Sequence, residues 1–392
     1  PPGSLSTMPD NNVGKRIPLI FNQVSTIPAV RIYDDVPSAV PLRDVKWICY
    51  QDPQGTQVLG DAFVDGVQLN PTNLDYPYLK VSAGTNGIRF TEYSFSMGTG
   101  IWEDSTSVYA TVSVGDGVEP NPLDVFDIIR ILCRDWSTLG NANINEQMFG
   151  LAQAKAPVSL TPSCLINASS GSGSATALKY IEDVLTKSYP MITMAWQDGG
   201  YGPVYYDRRL PSVMELVVGQ QPLLKRRTAI TETPKTELKN IFSMSYAYDA
   251  MTDSYLGFSE RNSGNSAICK ISQEQAGSRE MARIESKVVP NYAEPMGHAP
   301  EIVSEWQAGS ILEWYVQHIS LPSYYAEYEA FPSLYLQLSL GDNIKLYDAD
   351  LSETPFTATV EKMVLDAGKV VIGLRMWILY DAIQAGGTGA LR

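Results

Sequence analysis

At 392 residues the chain is long enough for two or three domains with full cores, and its hydrophobic content of 44% is that of a globular protein. A net charge of −14 excludes a nucleic-acid binder working through a basic face, although an acidic wall would let phosphates pass without sticking. Four scattered cysteines (Cys49, Cys133, Cys164, Cys269) exclude a CxxC zinc site and a disulfide framework, so free buried thiols are expected, and no apolar run reaches the length of a membrane span.

Residues 1–16 form a polar arm rich in Pro, Gly, Ser and Asn, expected to be mobile or ordered only against a neighbour. The chain starts Pro-Pro-Gly-Ser without Met, which reads as a processed or truncated end. From Ile17 short strand-like runs succeed one another: IPLIFNQV, AVRIYDD, DVKWICYQD, QVLGDAFVDGVQL, then Gly87–Phe95 and Ser107–Val114. Asp65-Gly66 is a hairpin turn, and residues 17–117 read as a β-rich module.

The pattern changes at Val118-Glu-Pro-Asn-Pro122. Asn121 is an N-cap candidate with Pro122 at the first helical position, and Val125, Ile128, Ile129 and Leu132 share one helical face. A second helix is expected over Ile144–Lys155, and a third through Leu178, Ile181, Val184 and Leu185, ended by Tyr189-Pro190. Met191–Trp196 and Val204–Arg208 form a strand pair around Asp198-Gly-Gly200, so residues 118–222 read as an α/β module.

Residues 223–383 read as a β-barrel-like module with one helix. Thr236–Tyr248 alternates as a strand, Ser259–Ser266 is a loop, and Glu301–Ile319 is a helix weakened at Gly309. Leu334, Leu336, Leu338 and Leu340 alternate as a strand, then come strands Asn343–Tyr347, Thr357–Leu365 and Val370–Ile378, with Asp366-Ala-Gly-Lys369 as a hairpin turn and Asp348–Glu353 as a loop. Residues 384–392 are a flexible tail.

Sites of chemistry are scarce. Only two histidines occur, His298 in a loop and His318 on the helix, and no G-x-S-x-G elbow is present. Asp348-Ala-Asp350 begins like a calcium loop but has Glu353 where glycine is required and Thr359 where the closing glutamate belongs. Gly171-Ser-Gly173 precedes a helix without the lysine of a phosphate loop. The Asn167 sequon reads as chance. No cofactor or metal is expected. Twenty-two tyrosines and seven tryptophans suit strands, and equally suit surfaces half buried against another chain.

Three segments, in order, resemble hub and tail-tip proteins of tailed bacteriophages. They are Gly14-Lys-Arg-Ile-Pro-Leu-Ile-Phe21 with Val64-Asp-Gly-Val67; Pro122–Pro211 with Asp127-Ile-Ile-Arg130 and Trp196-Gln-Asp-Gly-Gly200; and Leu340-Gly-Asp-Asn-Ile-Lys-Leu346 through Leu374-Arg-Met-Trp-Ile378. The resemblance implies an α+β, β-rich fold in which two antiparallel β-barrel-like tube modules flank an α/β module. It also implies a non-enzymatic virion protein, a homo-oligomer (trimer, or hexamer) that meets tube, distal tail or spike proteins and lets DNA pass unbound. Asp342, Asp348, Asp350 and Glu353 are then candidates for a lumen-facing acidic loop, and Lys225, Arg226 and Arg227 for a subunit contact. A carbohydrate- or receptor-binding adhesin of the tail tip stays open, with an aromatic platform in a groove as its mark. A peptidoglycan hydrolase is disfavoured by the histidine count.

Overall fold

The computed structural model describes residues 123–384, except 138, 140, 157–159, 167–176, 221–224, 291–299 and 367. It also describes strands between residues 19 and 114, with side chains there at Phe21 and Asn22. The fold is α+β and rich in strands. The expected arm, the Gly171–Gly173 loop, the Asn167 sequon, His298 and the residues after 384 lie outside the described residues.

The early strands are β1 (Leu19–Phe21), β2 (Thr26–Pro28), β3 (Val30–Asp34), β4 (Leu42–Gln51), β5 (Gln57–Val64), β6 (Val67–Gln68), β7 (Phe90–Gly98) and β8 (Val108–Val114), and all but β2 fall on the expected runs. They make two sheets, one with β4 paired to β1, β3 and β7, the other in the order β2-β8-β5-β6. Val64 pairs with Val67, and the expected Asp65-Gly66 turn lies outside the described residues.

Helix α1 (Val125–Asp135) buries Val125, Ile128, Ile129 and Leu132. Its N-cap is Asp124, whose carboxylate accepts from the Asp127 N–H at 2.9 Å, and not Asn121. The Val125 N–H, which has no acceptor within the helix, donates to the Leu160 carbonyl. Helix α2 (Glu146–Lys155) is capped by Asn145. Strand β9 (Cys164–Ile166) pairs antiparallel with β1, and the Asn22 amide donates to the Leu123 and Pro162 carbonyls, which stitches the N-terminal strands to this section. Helix α3 (Ala177–Tyr180) runs through a π turn (Ile181–Leu185) into α4 (Thr186–Ser188). The hairpin of β10 (Ile192–Gln197) and β11 (Gly200–Tyr205) turns at Asp198-Gly199, both left-handed (φ 51° and 80°), the geometry for which an Asp-Gly pair is suited.

The chain then lays down β12 (Ser212–Val217), β13 (Lys225–Arg226), β14 (Thr231–Glu232), β15 (Ile241–Asp249), β16 (Ser254–Arg261), helix α5 (Ala267–Ala276), β17 (Met281–Glu285) and helix α6 (Pro300–Ile319). Strands β16, β15 and β17 make a three-stranded sheet against α6, and these elements share one core with α1, α2 and β10–β11. The expected loop Ser259–Ser266 is shorter than its composition suggests. Ser259–Arg261 complete β16, and Ser266 caps α5, with the Asn262 and Asn265 side chains closing the turn between.

The second core lies in a seven-stranded curled sheet of the order β12-β19-β20-β21-β18-β13, with β14 also on β18; its later strands are β18 (Tyr324–Ala330), β19 (Asn343–Tyr347), β20 (Phe356–Asp366) and β21 (Lys369–Met376). A bulge between Val360 and Lys362 bends the β20–β21 pair. β12 joins this sheet in parallel with β19, although it precedes residue 223, the expected start of the barrel-like module. The expected strand Leu334–Leu340 is instead a 3-10 turn, Pro332–Leu336. Pro332 starts it with the preset φ of a helical first turn, and Leu334 and Leu338 are buried four apart while Leu336 is 87% exposed. The last strand stops at Met376, and helix α7 (Ile378–Gln384) comes after it.

Gly341 joins the two cores closely. Its φ is +78°, and a Cβ there would lie 2.3 Å from the Tyr205 carbonyl oxygen. Gly341→Ala is expected to cost about 2–4 kcal/mol of stability, read as a lower urea midpoint at unchanged slope. An unchanged midpoint would contradict the close approach.

Candidate functional site: the seam between the two cores

The loop after β11 carries Asp207, Arg208 and Arg209 into the seam. Asp207 is buried. Burial pushes its carboxyl up, but the Arg209 guanidinium outweighs burial and holds it below the ordinary range, through contacts of 2.9 Å and 2.6 Å. Its backbone carbonyl accepts from the Asn343 amide at 2.7 Å, and Asn343 in turn accepts from Thr359, whose hydroxyl accepts from the Trp377 indole. This chain of donors runs from the first core into the curled sheet.

Arg208 is 4% exposed. Its Nε donates to the Gln317 carbonyl at 2.9 Å, one terminal nitrogen donates to the Gln317 side-chain oxygen, and the other lies 3.6 Å from an Asp381 oxygen. The guanidinium sits 4.2 Å from the centroid of Tyr380. Asp381, on α7, also accepts from the Thr357 N–H and lies 3.5 Å from Lys345 Nζ. A second tie runs from Lys155 at the end of α2 to Asp342, 2.7 Å away.

His318 is placed by α6 between Trp314 and Trp377, stacked on the first at 4.2 Å. Its Nε2 accepts the Arg208 backbone N–H at 3.2 Å, and its Nδ1 faces the Trp314 carbonyl at 2.7 Å. This fixes a neutral tautomer with the proton on Nδ1. Burial pushes its pKa down to about 3, against an opposing pull from Asp207. The expected structural role of His318 is what this geometry describes.

His318 also lines a cleft of about 500 Å³. Thr193, Tyr206 and Trp314 line one wall, and Ser323, Glu361 and Arg375 the other. Arg375 grips both oxygens of Glu361, at 2.5 Å and 3.1 Å, and donates to Ser323 at 3.1 Å. Burial, then the Glu361 charge, pushes the Tyr206 phenol up.

The structure brings together two of the groups that the sequence singled out separately. Arg226 pairs with Asp348 at 3.2 Å and with Asp350 at 2.7 Å, and Asp348 also accepts from the buried Tyr328 hydroxyl. Asp348 and Asp342 are therefore buried, paired groups and not outward acids. Asp350 and Glu353 are exposed. Arg227 lies 3.7 Å from Glu329 and 3.5 Å from Asp366, and Lys225 is exposed. No group of three metal-ligating side chains occurs among the described residues, and no described helix is long and apolar enough to cross a membrane. Cys133, Cys164 and Cys269 are free and buried, and burial pushes the first two thiols up to about 11 and about 12.

The sheets end in open edges among the described residues. β16 pairs only with β15, and its outward Leu256 and Phe258 are 62% and 64% exposed. β12 pairs only with β19 and exposes Val213. Sequence reasoning missed these positions, although the spacing of Leu256 and Phe258 two residues apart marks one face of a strand.

No family model matches the chain, and no curated protein matches it. Among solved structures, it is similar over 93% of its length to prophage tail protein gp18 from Listeria monocytogenes EGD-e, with 92% of that chain covered, 10% identity and a TM-score of 0.31. The 43 kDa tail protein of prophage MuSo2 from Shewanella oneidensis overlaps 93% of the chain with 98% of its own, at 10% identity and a TM-score of 0.30. A chain of the phage P2 baseplate in its activated conformation with Ca overlaps 91%, with 88% of its own, at 9% identity and a TM-score of 0.20. The overlaps are long and geometrically loose.

The His318 tautomer gives a pH dependence. An imidazole whose pKa falls from about 6.5 unfolded to about 3 folded lends stability that is full above pH 6.5 and lost as pH falls toward 3. His318→Gln, which keeps one donor and one acceptor, is expected to flatten the urea stability profile between pH 7 and pH 4 by about 2–4 kcal/mol. Parallel profiles for the two proteins would contradict the assignment.

Proposed function

We propose that the chain is a structural component of a bacteriophage tail, a baseplate hub or tail-tip ring that resides in the virion. In this reading it forms part of the channel for DNA passage and connects the tail tube to the tip or spike. The observation that carries it is the pair of open sheet edges with large apolar side chains turned outward. A β-rich monomer blunts such edges with charge, proline or a covering loop, whereas a ring subunit pairs them with its neighbours. The ordered resemblance of three segments spread over most of the chain supplies the class of assembly.

The curled seven-stranded sheet would be one of the two barrel-like tube modules, and the sheets of β1–β8 the other. A homotrimer, or a hexamer, would place them around the lumen and against tube, distal tail or spike proteins. DNA would pass without being held, because net charge −14 repels phosphate. Of the four acidic candidates, the exposed Asp350 and Glu353 would serve that wall, while Asp342 and Asp348 are buried and paired. We read the protein as non-enzymatic, since the one described histidine is spent on holding the seam.

Native mass spectrometry and negative-stain microscopy of the full chain should show threefold or sixfold rings. Leu256→Asp with Phe258→Asp should weaken assembly by roughly 30-fold or more while far-ultraviolet circular dichroism stays native, because both side chains leave the core untouched. A wild-type chain that stays monomeric at micromolar concentration would overturn the reading.

A further inference from the structure

We infer that the cleft between the two cores is a binding site for a neutral saccharide. The size fits, since about 500 Å³ lies within the roughly 300–1,000 Å³ usual for small-molecule sites. The walls supply the two surfaces that a sugar ring requires. Trp314 and Tyr206 offer apolar ring surface to its C–H bonds, and Glu361 with Arg375 presents a planar carboxylate and guanidinium side by side. Adjacent hydroxyls on a pyranose match that pair: one donates to a free lone pair of Glu361, and the next accepts from an Arg375 N–H not used on Glu361 or Ser323.

Two hydroxyls reach the cleft from the first core. Thr193 is exposed and Tyr206 half-buried, and both line the cavity. Each can therefore trade a water for a ligand hydroxyl. The charge balance selects among polyols. Glu237 and Glu361 face a single cation, Arg375, while His318 is neutral, so the lining carries a net negative charge. Phosphorylated or carboxylated sugars are repelled and neutral ones are not. The cleft alone supports this site, whether or not the chain assembles into a tail.

The test uses the purified full chain in whatever oligomeric state it adopts. Lactose, maltose and N,N'-diacetylchitobiose serve as probes, with 3'-sialyllactose as the anionic control, read by saturation-transfer NMR and calorimetry. At least one neutral disaccharide should bind with a Kd on the order of 1 mM or tighter. Tyr206→Phe and Thr193→Val should each weaken it about 3- to 10-fold, and Glu361→Gln roughly 10-fold or more. Thr354→Ala, outside the cleft, should leave it unchanged. Tyr206→Phe keeps the ring and the backbone carbonyl that Trp314 uses, so its effect reads the hydroxyl and not the fold. Absence of binding by all three neutral probes would overturn the proposal, as would equal binding of the sialylated control or wild-type affinity in Tyr206→Phe.

Discussion

A single buried guanidinium, that of Arg208, sets how the two cores meet. Taking a permanent cation out of water costs several kcal/mol unless its donors are met and an opposite charge stands near. Gln317 from α6 answers it from the first core, while Asp381 and the Tyr380 ring answer it from α7, beyond the last strand of the second. No rearrangement of one core relative to the other keeps all of these partners. The cost of burial therefore becomes a constraint on relative position, and the neutral His318, bonded to the Arg208 backbone, belongs to the same constraint.

That constraint makes the two cores one block and not two beads on a linker. The polar chain Asp207–Asn343–Thr359–Trp377, the Lys155–Asp342 pair and the close pass of Gly341 under Tyr205 all lie on the same seam. The cleft adjoins this seam, since His318, Thr359 and Trp377 also line it. A fixed block would suit the proposed ring subunit, whose edges would meet neighbours at a set angle, and would hold the cleft walls for the proposed saccharide. Flexible cores would lose affinity in either proposed role to the entropy of ordering.

Much of the fold was legible in the residues. Strand-like runs located most of the early strands and β19–β21, the Asp198-Gly199 pair marked a turn, and the spacing Val125, Ile128, Ile129, Leu132 marked α1. The failures have physical causes. The leucines at 334, 336, 338 and 340 satisfy a strand period and also the four-residue spacing of a helical turn, and Pro332 tipped the balance. The joining of β12 to a sheet 130 residues downstream is a long-range pairing that local pattern cannot report. The acidic loop and the basic run looked like two surfaces because each reads as solvated charge. Only the fold brings Arg226 onto Asp348 and Asp350. The cleft draws on side chains from residues 190 to 377, and although Arg375 and Trp377 stand in the closing segment Leu374-Arg-Met-Trp-Ile378, no local pattern reports that they face residues 190–206.

Native-state hydrogen exchange on the full chain tests the seam most directly. If Arg208 and its partners couple the cores, the slowest amides of α1 and α6 and those of β20 and β21 should share one opening free energy, within about 1 kcal/mol, and one dependence on urea. Sheet amides that open independently of the helices, at a clearly lower free energy and with a smaller urea slope, would contradict the account.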